Sequence, residues 1–322
     1  MNAPLVSVVI PTYNRAALIG RTVANIFEQI YPNIEVIVVD DGSTDDTPTE
    51  LRRFGDRIRV VTQANAGPAV ARNRGAKVAR GEIIAFQDSD DLWKPTKLAR
   101  QVRLLTQFGT LTPCCLCNTT MGVIDGKEWT SFDDSVIRVT HDEGLWLNVA
   151  EVLATRFVLF NQSVAIRREI FEKVGGFRED LKYLEDYDLP LRLSLEGPWA
   201  IIREPLIIYG NNSPESFSAR ALKDPVVLRR CAVDIFEAFR ARVNGVHGNG
   251  QLRRLLARRL RMLRILLVGT ELHQSDSLCA RITGSLLIGV EHYLSAALRR
   301  SPWLPQPVTT RGDEITAIIQ NC

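Results

Sequence analysis

Four apolar runs in the N-terminal third restrict the fold of this chain more than any other feature. They are LVSVVI at 5–10, IEVIVVD at 34–40, DRIRVVTQ at 56–63 and EIIAFQD at 82–88. Each has the length of a strand. The first, second and fourth are apolar at nearly every position instead of alternating, as expected of strands covered on both faces. Helix-length segments separate them. In 14–30, Leu18, Ile19, Thr22, Val23, Ile26, Phe27 and Ile30 fall on one helical stripe, with Asn14 placed to cap its start. DGSTDDTPTELRRF turns through Gly42 into a second helix; GPAVARNRGAKVA at 67–79 and PTKLARQVRLLTQF at 95–108 supply a third and a fourth. Strand and helix in strict alternation predict a mostly parallel sheet flanked by helices.

Beyond about 110 the pattern loosens. FNQSVAIRREIFEKVGGF (160–177) predicts a short strand, a helix and a Gly-Gly turn, KYLEDYDLPLRLSL (182–195) a further helix, and WAIIREPLIIYG (199–210) one or two strands. The polar loop NNSPESFS at 211–218 marks a boundary between an α/β catalytic domain, 1–215, and a wholly helical region, 216–322. Charge divides there too: residues 1–217 carry a net −5 and 218–322 a net +8, nearly all of it Arg. Such a tail suggests an anionic partner. The six cysteines form no paired or zinc-binding spacing and read as buried free thiols of a reducing compartment. The start, MNAPLVSVVIP, lacks the basic and apolar regions of an export signal. No apolar run reaches the ~18 residues of a membrane span. The expected location is cytoplasmic.

In open parallel sheets ligands gather at the carboxyl ends of strands. Both acidic clusters, Asp40–Asp41 and Asp88–Ser89–Asp90–Asp91, fall at such ends. Packed carboxylates suit a hard divalent cation, Mn²⁺ or Mg²⁺, shared with substrate phosphate. The competing reading of DSDD is a turn that caps the next helix. Asp40 and Asp41 either accept hydrogen bonds from a nucleotide's base or ribose or belong to a turn capped by Ser43 or Thr44. With no GxGxxG and no GxxxxGK[ST], a dehydrogenase or kinase is disfavoured, and Arg72 is a candidate cation for a diphosphate. Glu185, Asp186 and Asp188 open a helix near Pro190, a residue tolerated in a first turn. One of them would serve as general base, or they simply complement the helix dipole. A helix start favours the ionised carboxylate and burial disfavours it, and the residues alone leave that balance open. The four histidines sit in unrelated contexts and receive no role.

Taken together, SVVIPTYNRAALIGRTVANIFEQ, EVIVVDDGSTDDT, NAGPAVARNRGAKVARGEIIAFQDSDDLW and VGGFREDLKYLEDYDLPLRL resemble glycosyltransferase family 2 over roughly 5–210. That resemblance implies a GT-A fold and inverting transfer from a nucleotide-sugar, with roles for particular residues. Pro11, Thr12 and Tyr13 would line the nucleotide pocket. Asp40, with Asp41, would hold base or ribose. Asp88 and Asp90 would be the DxD metal ligands, Asp91 would lie close to sugar or metal, and Asp186, beside Glu185, would be the base. Gly175 and Gly176 would shape the acceptor side. Gln87 stands where the family is commonly apolar, and Pro190 where it often carries an aromatic. A QxxRW-like motif is absent after 210, against a processive synthase. A silent nucleotide-sugar module and a nucleotidyltransferase of related topology stand as alternatives. For the tail, LRRLLARRLRMLR at 252–264 and GSLLIGVEHYLSAALRR at 284–300 give amphipathic helices. They read either as a cap on the catalytic domain or as a membrane contact through 252–300 near a saccharide or lipid-linked saccharide acceptor. Nucleic acid is not expected, because no matching motif accompanies the charge.

Overall fold

The computed structural model describes residues 3–158, 160–210, 221–245, 249–275, 277–299 and 305–310. Its parallel half follows the apolar runs. β1 (Val6–Thr12) lies between β2 (Ile34–Asp40) and β4 (Ile83–Phe86), and β2 pairs with β3 (Arg59–Thr62), all parallel. The connecting helices are α1 (Ala16–Ile26), α2 (Thr47–Arg52) and α3 (Pro68–Val78), with α4 (Lys97–Phe108) after β4.

The second half is mixed. It contains β5 (Leu92–Trp93), β6 (Cys114–Ile124), β7 (Lys127–Thr130), α5 (Ser131–Asp134), β8 (Glu143–Trp146), α6 (Val149–Leu153), β9 (Val164–Arg167), α7 (Arg168–Val174), α8 (Glu185–Leu193) and β10 (Trp199–Ile208). Then come α9 (Pro225–Asn244), α10 (Gly250–His273), α11 (Leu278–Arg299) and β11 (Thr309–Thr310). Along the sheet the order is β11-β8-β10-β6-β9-β4-β1-β2-β3. β9 runs antiparallel to both β4 and β6, and β6 is parallel to β10. The carboxyl ends of β1, β2, β4, β6 and β10 therefore share one edge.

Alternate strand residues feed two cores. Val9, Ile37 and Val39 join Phe171, Leu189 and Phe236 on one face. Val8, Ile10 and Val38 join Ile19, Val23, Leu98 and Val102 on the other. Cys114 goes to the first face and Cys115 and Cys117 to the second, so these thiols are core side chains. Cys231 is buried as expected, whereas Cys279 is exposed.

Several local expectations change. β1 runs on through Pro11 to Thr12, past the apolar run at 5–10. Gln87 N–H bonds the Val9 carbonyl, so the β4 side of β1 is the side on which Pro11 would have donated. β4 has already ended there, and the missing N–H costs little. Asn14 does not cap α1. It adopts a left-handed conformation, φ 52°, which Asn tolerates. Its Oδ1 accepts from Thr44 N–H at 2.8 Å while its own N–H donates to Ser43 Oγ at 2.9 Å. Ser43 and Thr44 thus tie two loops together and do not cap α2. Pro190 stands in the second turn of α8, not the first. There it removes the donor that would reach the Asp186 carbonyl.

The region after 216 is not wholly helical, because β11 adds to the sheet edge beside β8. The boundary loop placed at 211–218 lies outside the described residues. α9 and α10 turn Phe236, Phe239, Leu252, Leu256 and Leu260 into the same core as Trp146, Phe160 and Tyr187. Among the described residues, no helix is long and apolar enough to cross a membrane.

Candidate active site

The shared carboxyl edge brings the acidic clusters together. Thr12 and Asp40 are register partners at the ends of β1 and β2. Asp40 is buried, its Oδ1 accepting from Ser43 N–H at 3.0 Å. Tyr13 is 38% exposed at the mouth, with Pro11 partly covered behind it and Thr12 buried. Asp41 has a different job from Asp40. It is also buried, and its oxygens accept from Gln63 Nε2 (2.7 Å), Ala66 N–H (2.9 Å) and Gly67 N–H (2.8 Å). Three internal donors occupy this carboxylate, which makes it the bracket of the loop leading into α3.

DSDD forms a turn held from several sides. Thr22 Oγ1 donates to the Ser89 carbonyl at 2.8 Å, and Gln87 Nε2 to the Asp91 carbonyl at 2.6 Å. Gln87 is fully buried, so a polar residue at this point of the strand fixes the turn. Asp91 Oδ1 accepts from Gly210 N–H at 2.7 Å. Gly210 is required by proximity, since a Cβ there would lie 2.3 Å from the Asp90 carbonyl oxygen. The turn does not cap a helix, for β5 intervenes before α4.

Arg72 of α3 joins this turn to α8. Its Nη2 donates to Asp88 Oδ1 at 2.8 Å and its Nη1 to Glu185 Oε1 at 2.9 Å. With its amide oxygen turned inward, Asn161 accepts from the same guanidinium at 3.2 and 3.3 Å. Arg72 is buried, and burial works against its charge. Asp88, Glu185 and Asp186 outweigh that and hold it firmly protonated. The cation expected to meet a diphosphate is therefore engaged as a strut between two acidic groups.

The remaining acids feel one another. Burial first, then Asp88, raises Asp90, with Arg15 opposing. Burial, Asp88 and Asp90 push Asp91 up to about 8 against the pull of Gly210 N–H and the Gln162 amide. Asp186 is pushed up to about 7, by burial and then by Glu185, with Asp88 adding and Arg72 opposing. Burial thus outweighs the helix start in setting Asp186. Its neighbour Leu184 takes φ 66°, a conformation unusual for a branched side chain, immediately before the acidic pair. Asp188 turns away and pairs with buried Arg192 at 2.5 Å, and Arg192 also donates to the Val174 and Gly176 carbonyls at 2.6 Å each. That pair holds the Gly175–Gly176 turn on α8.

A divalent cation fits the oxygens at hand. Asp91 Oδ2 is buried with no hydrogen-bond partner, and Asp88 retains 28% of its side-chain surface. Among the described residues, no preformed group of three or more acidic, His or Cys ligands is found. A site of one or two carboxylates completed by substrate phosphate and water is the mode Mg²⁺ favours.

Residues 7–175, just over half of the chain, match glycosyl transferase family 2. The chain belongs to that family. A curated glycosyltransferase of Rickettsia typhi is 33% identical over 187 residues, 58% of each chain. The putative teichuronic acid biosynthesis glycosyltransferase TuaG of Bacillus subtilis is 37% identical over 148 residues, 44% of this chain and 57% of that one. The chain thus spans little more than half the length of these relatives. Among solved structures, S. aureus TarS 1-349 in complex with UDP-GlcNAc superposes with a TM-score of 0.63 at 18% identity, covering 89% of this chain and 80% of that one. The mannosyltransferase PcManGT of Pyrobaculum calidifontis, in complex with GDP-Man and Mn²⁺, gives 0.56 at 23% identity, with 92% and 87% covered. These likenesses establish the GT-A fold of this family 2 member.

The site residues that sequence reasoning missed are Asn161, Gln162 and Gly210. The first two left a faint trace, a polar pair in FNQSV within an otherwise apolar stretch. Gly210 reads only as part of a turn.

Proposed function

We propose that this family 2 member is a metal-dependent, inverting, non-processive glycosyltransferase. It moves a sugar from a nucleoside diphosphate-sugar, with UDP as the family-level expectation, to an acceptor hydroxyl. The observation that carries the reading is the Asp88–Arg72–Glu185 bridge, which sets the DSDD turn beside the acidic start of α8. Donor-binding and base-bearing elements are thereby neighbours. Two fold relatives, one in complex with UDP-GlcNAc and one with GDP-Man and Mn²⁺, agree with such a donor.

In this reading Pro11, Thr12, Tyr13 and Asp40 receive the nucleotide, with Asp41 shaping the loop behind it. Asp88 and Asp90 would hold the cation, with Asp91 beside them. Mn²⁺ or Mg²⁺ there would neutralise the departing diphosphate. Asp186 takes the proton of the acceptor hydroxyl as that oxygen bonds to the anomeric carbon. The carbon–oxygen bond to the nucleoside diphosphate breaks on the opposite face, and configuration inverts. A carboxyl poised near neutrality suits this proton transfer. The acceptor is a saccharide or lipid-linked saccharide of cell-surface polysaccharide or glycolipid synthesis, and the enzyme works in the cytoplasm with a membrane contact in 252–300.

The test is thermal stabilisation by UDP-, GDP- and dTDP-sugars with Mn²⁺ or with EDTA, followed by transfer assays with the donor so found. A donor that stabilises only with metal is the expected result. Unchanged transfer by a metal-stripped, folded protein carrying Asp88→Ala and Asp90→Ala would overturn the reading.

A further inference from the structure

The Arg-rich helix α10 has two faces with different occupants. Leu252, Leu256, Leu260 and Leu263 are buried against the catalytic core. The apolar stripe that made this helix amphipathic is consequently unavailable to a membrane. Two positions after Leu252 and Leu256, about 200° round the helix, stand Arg254 and Arg258. Arg261, Ile265 and Val268 continue the same outward line at alternating steps of three and four, and all five are exposed.

Charge on this line is uncompensated among the described residues. Arg264 pairs with Glu237 at 2.5 Å and Arg230 with Glu271 at 2.7 Å, but no ion pair reaches Arg254, Arg258 or Arg261. The line ends in apolar side chains, Ile265 at 41% and Val268 at 48% exposure. α11 packs along α10 through Gly284, whose side faces Gly269 and His273, so its exposed Ile282 and Leu286, two positions either side, point away from α10 and off this line. Large apolar groups at such exposure gain nothing from water.

We infer that this outward face of α10 docks on an anionic lipid surface. The inference deepens the proposed function, resting on its membrane contact and identifying the face and the lipid chemistry. Headgroup phosphates answer the three guanidinium groups, and the acyl boundary takes Ile265 and Val268, leaving each Arg stem along the interface. A nucleic acid would satisfy the charge and leave those apolar side chains in water. The lipid surface satisfies both halves of the stripe.

Flotation of the full chain with phosphatidylcholine vesicles, and with phosphatidylcholine–phosphatidylglycerol vesicles, tests this at low and high salt. Binding to the anionic vesicles, weakened by salt, is expected. Replacing Arg254, Arg258 and Arg261 together by Ser should reduce it on the order of 100-fold. Ile265→Ser with Val268→Ser should weaken it by about tenfold or more. No binding to anionic vesicles, or triple-variant binding equal to the parent's, overturns the inference. So does displacement by duplex DNA with the Ile265/Val268 variant unaffected. Donor-dependent thermal stabilisation of the same samples separates the two readings. It should persist in both variants, and its absence from the parent protein would sink the transferase reading while the vesicle result stood.

Discussion

Asp186 and Arg72 carry the sharpest expectations at the residue scale. A base must be ionised to accept a proton. With Asp186 pushed up to about 7, transfer should rise with pH to that value, about tenfold per unit below it, and level off above. Asp186→Asn should retain donor-induced stabilisation and lose transfer by 10²-fold or more, on the order seen for removal of a general base. Loss of donor stabilisation in that variant would contradict the assigned role. Arg72→Met asks a different question. It leaves Asp88 and Glu185 without their shared cation in a buried place, for a destabilisation of about 3–5 kcal/mol by chemical denaturation. A variant as stable as the parent would show that the strut is dispensable.

Among elements, the joint between α3, α7 and α8 deserves the closest test. Asn73 of α3 receives Phe177 N–H on its Oδ1 at 2.9 Å and donates from Nδ2 to the Phe177 carbonyl at 2.8 Å. Gly176 sits between α7 and that contact with φ 62°, and a Cβ on it would lie 2.7 Å from Asn73 Oδ1. Gly176→Ala should therefore cost about 1–3 kcal/mol, read as a lowered denaturation midpoint. An unchanged midpoint would mean that the turn can relax away from α3. The Asp188–Arg192 pair braces the same turn from α8, so the acidic opening of α8 divides its labour. Asp188 holds the backbone, and Glu185 meets buried Arg72 beside Asp186.

For the molecule as a whole, the acidic edge sets a pH dependence and the cap sets a stability contrast. Asp91 is raised from the ordinary Asp value near 3.9 to about 8, and Asp186 to about 7. In the metal-free protein their contribution is fully present below about pH 4 and is lost as pH rises through these folded values. Thermal scans without metal should show a melting temperature that declines across this window, and Asp91→Asn should flatten the decline. Leu256 beneath the cap and Ile282 outside it should differ plainly. Leu256→Ala should cost about 2–5 kcal/mol, and Ile282→Ser within about 0.5 kcal/mol of nothing. Equal costs would place the cap's inner face wrongly. The α/β alternation, the strand-end carboxylates and the basic tail were all legible in the sequence, because apolar periodicity and charge are local properties of neighbouring residues. The engagement of Arg72 by Asp88 and Glu185, the diversion of Asp41 to an internal loop, and the return of β11 to the sheet were not. They join residues far apart in the chain, and only packing decides which donor meets which acceptor. The sequence determined that acidic groups would gather at one strand edge; the tertiary structure decided which of them are spent on holding the fold and which face the cleft, since a buried carboxylate must find its hydrogen bonds wherever the folded chain provides them.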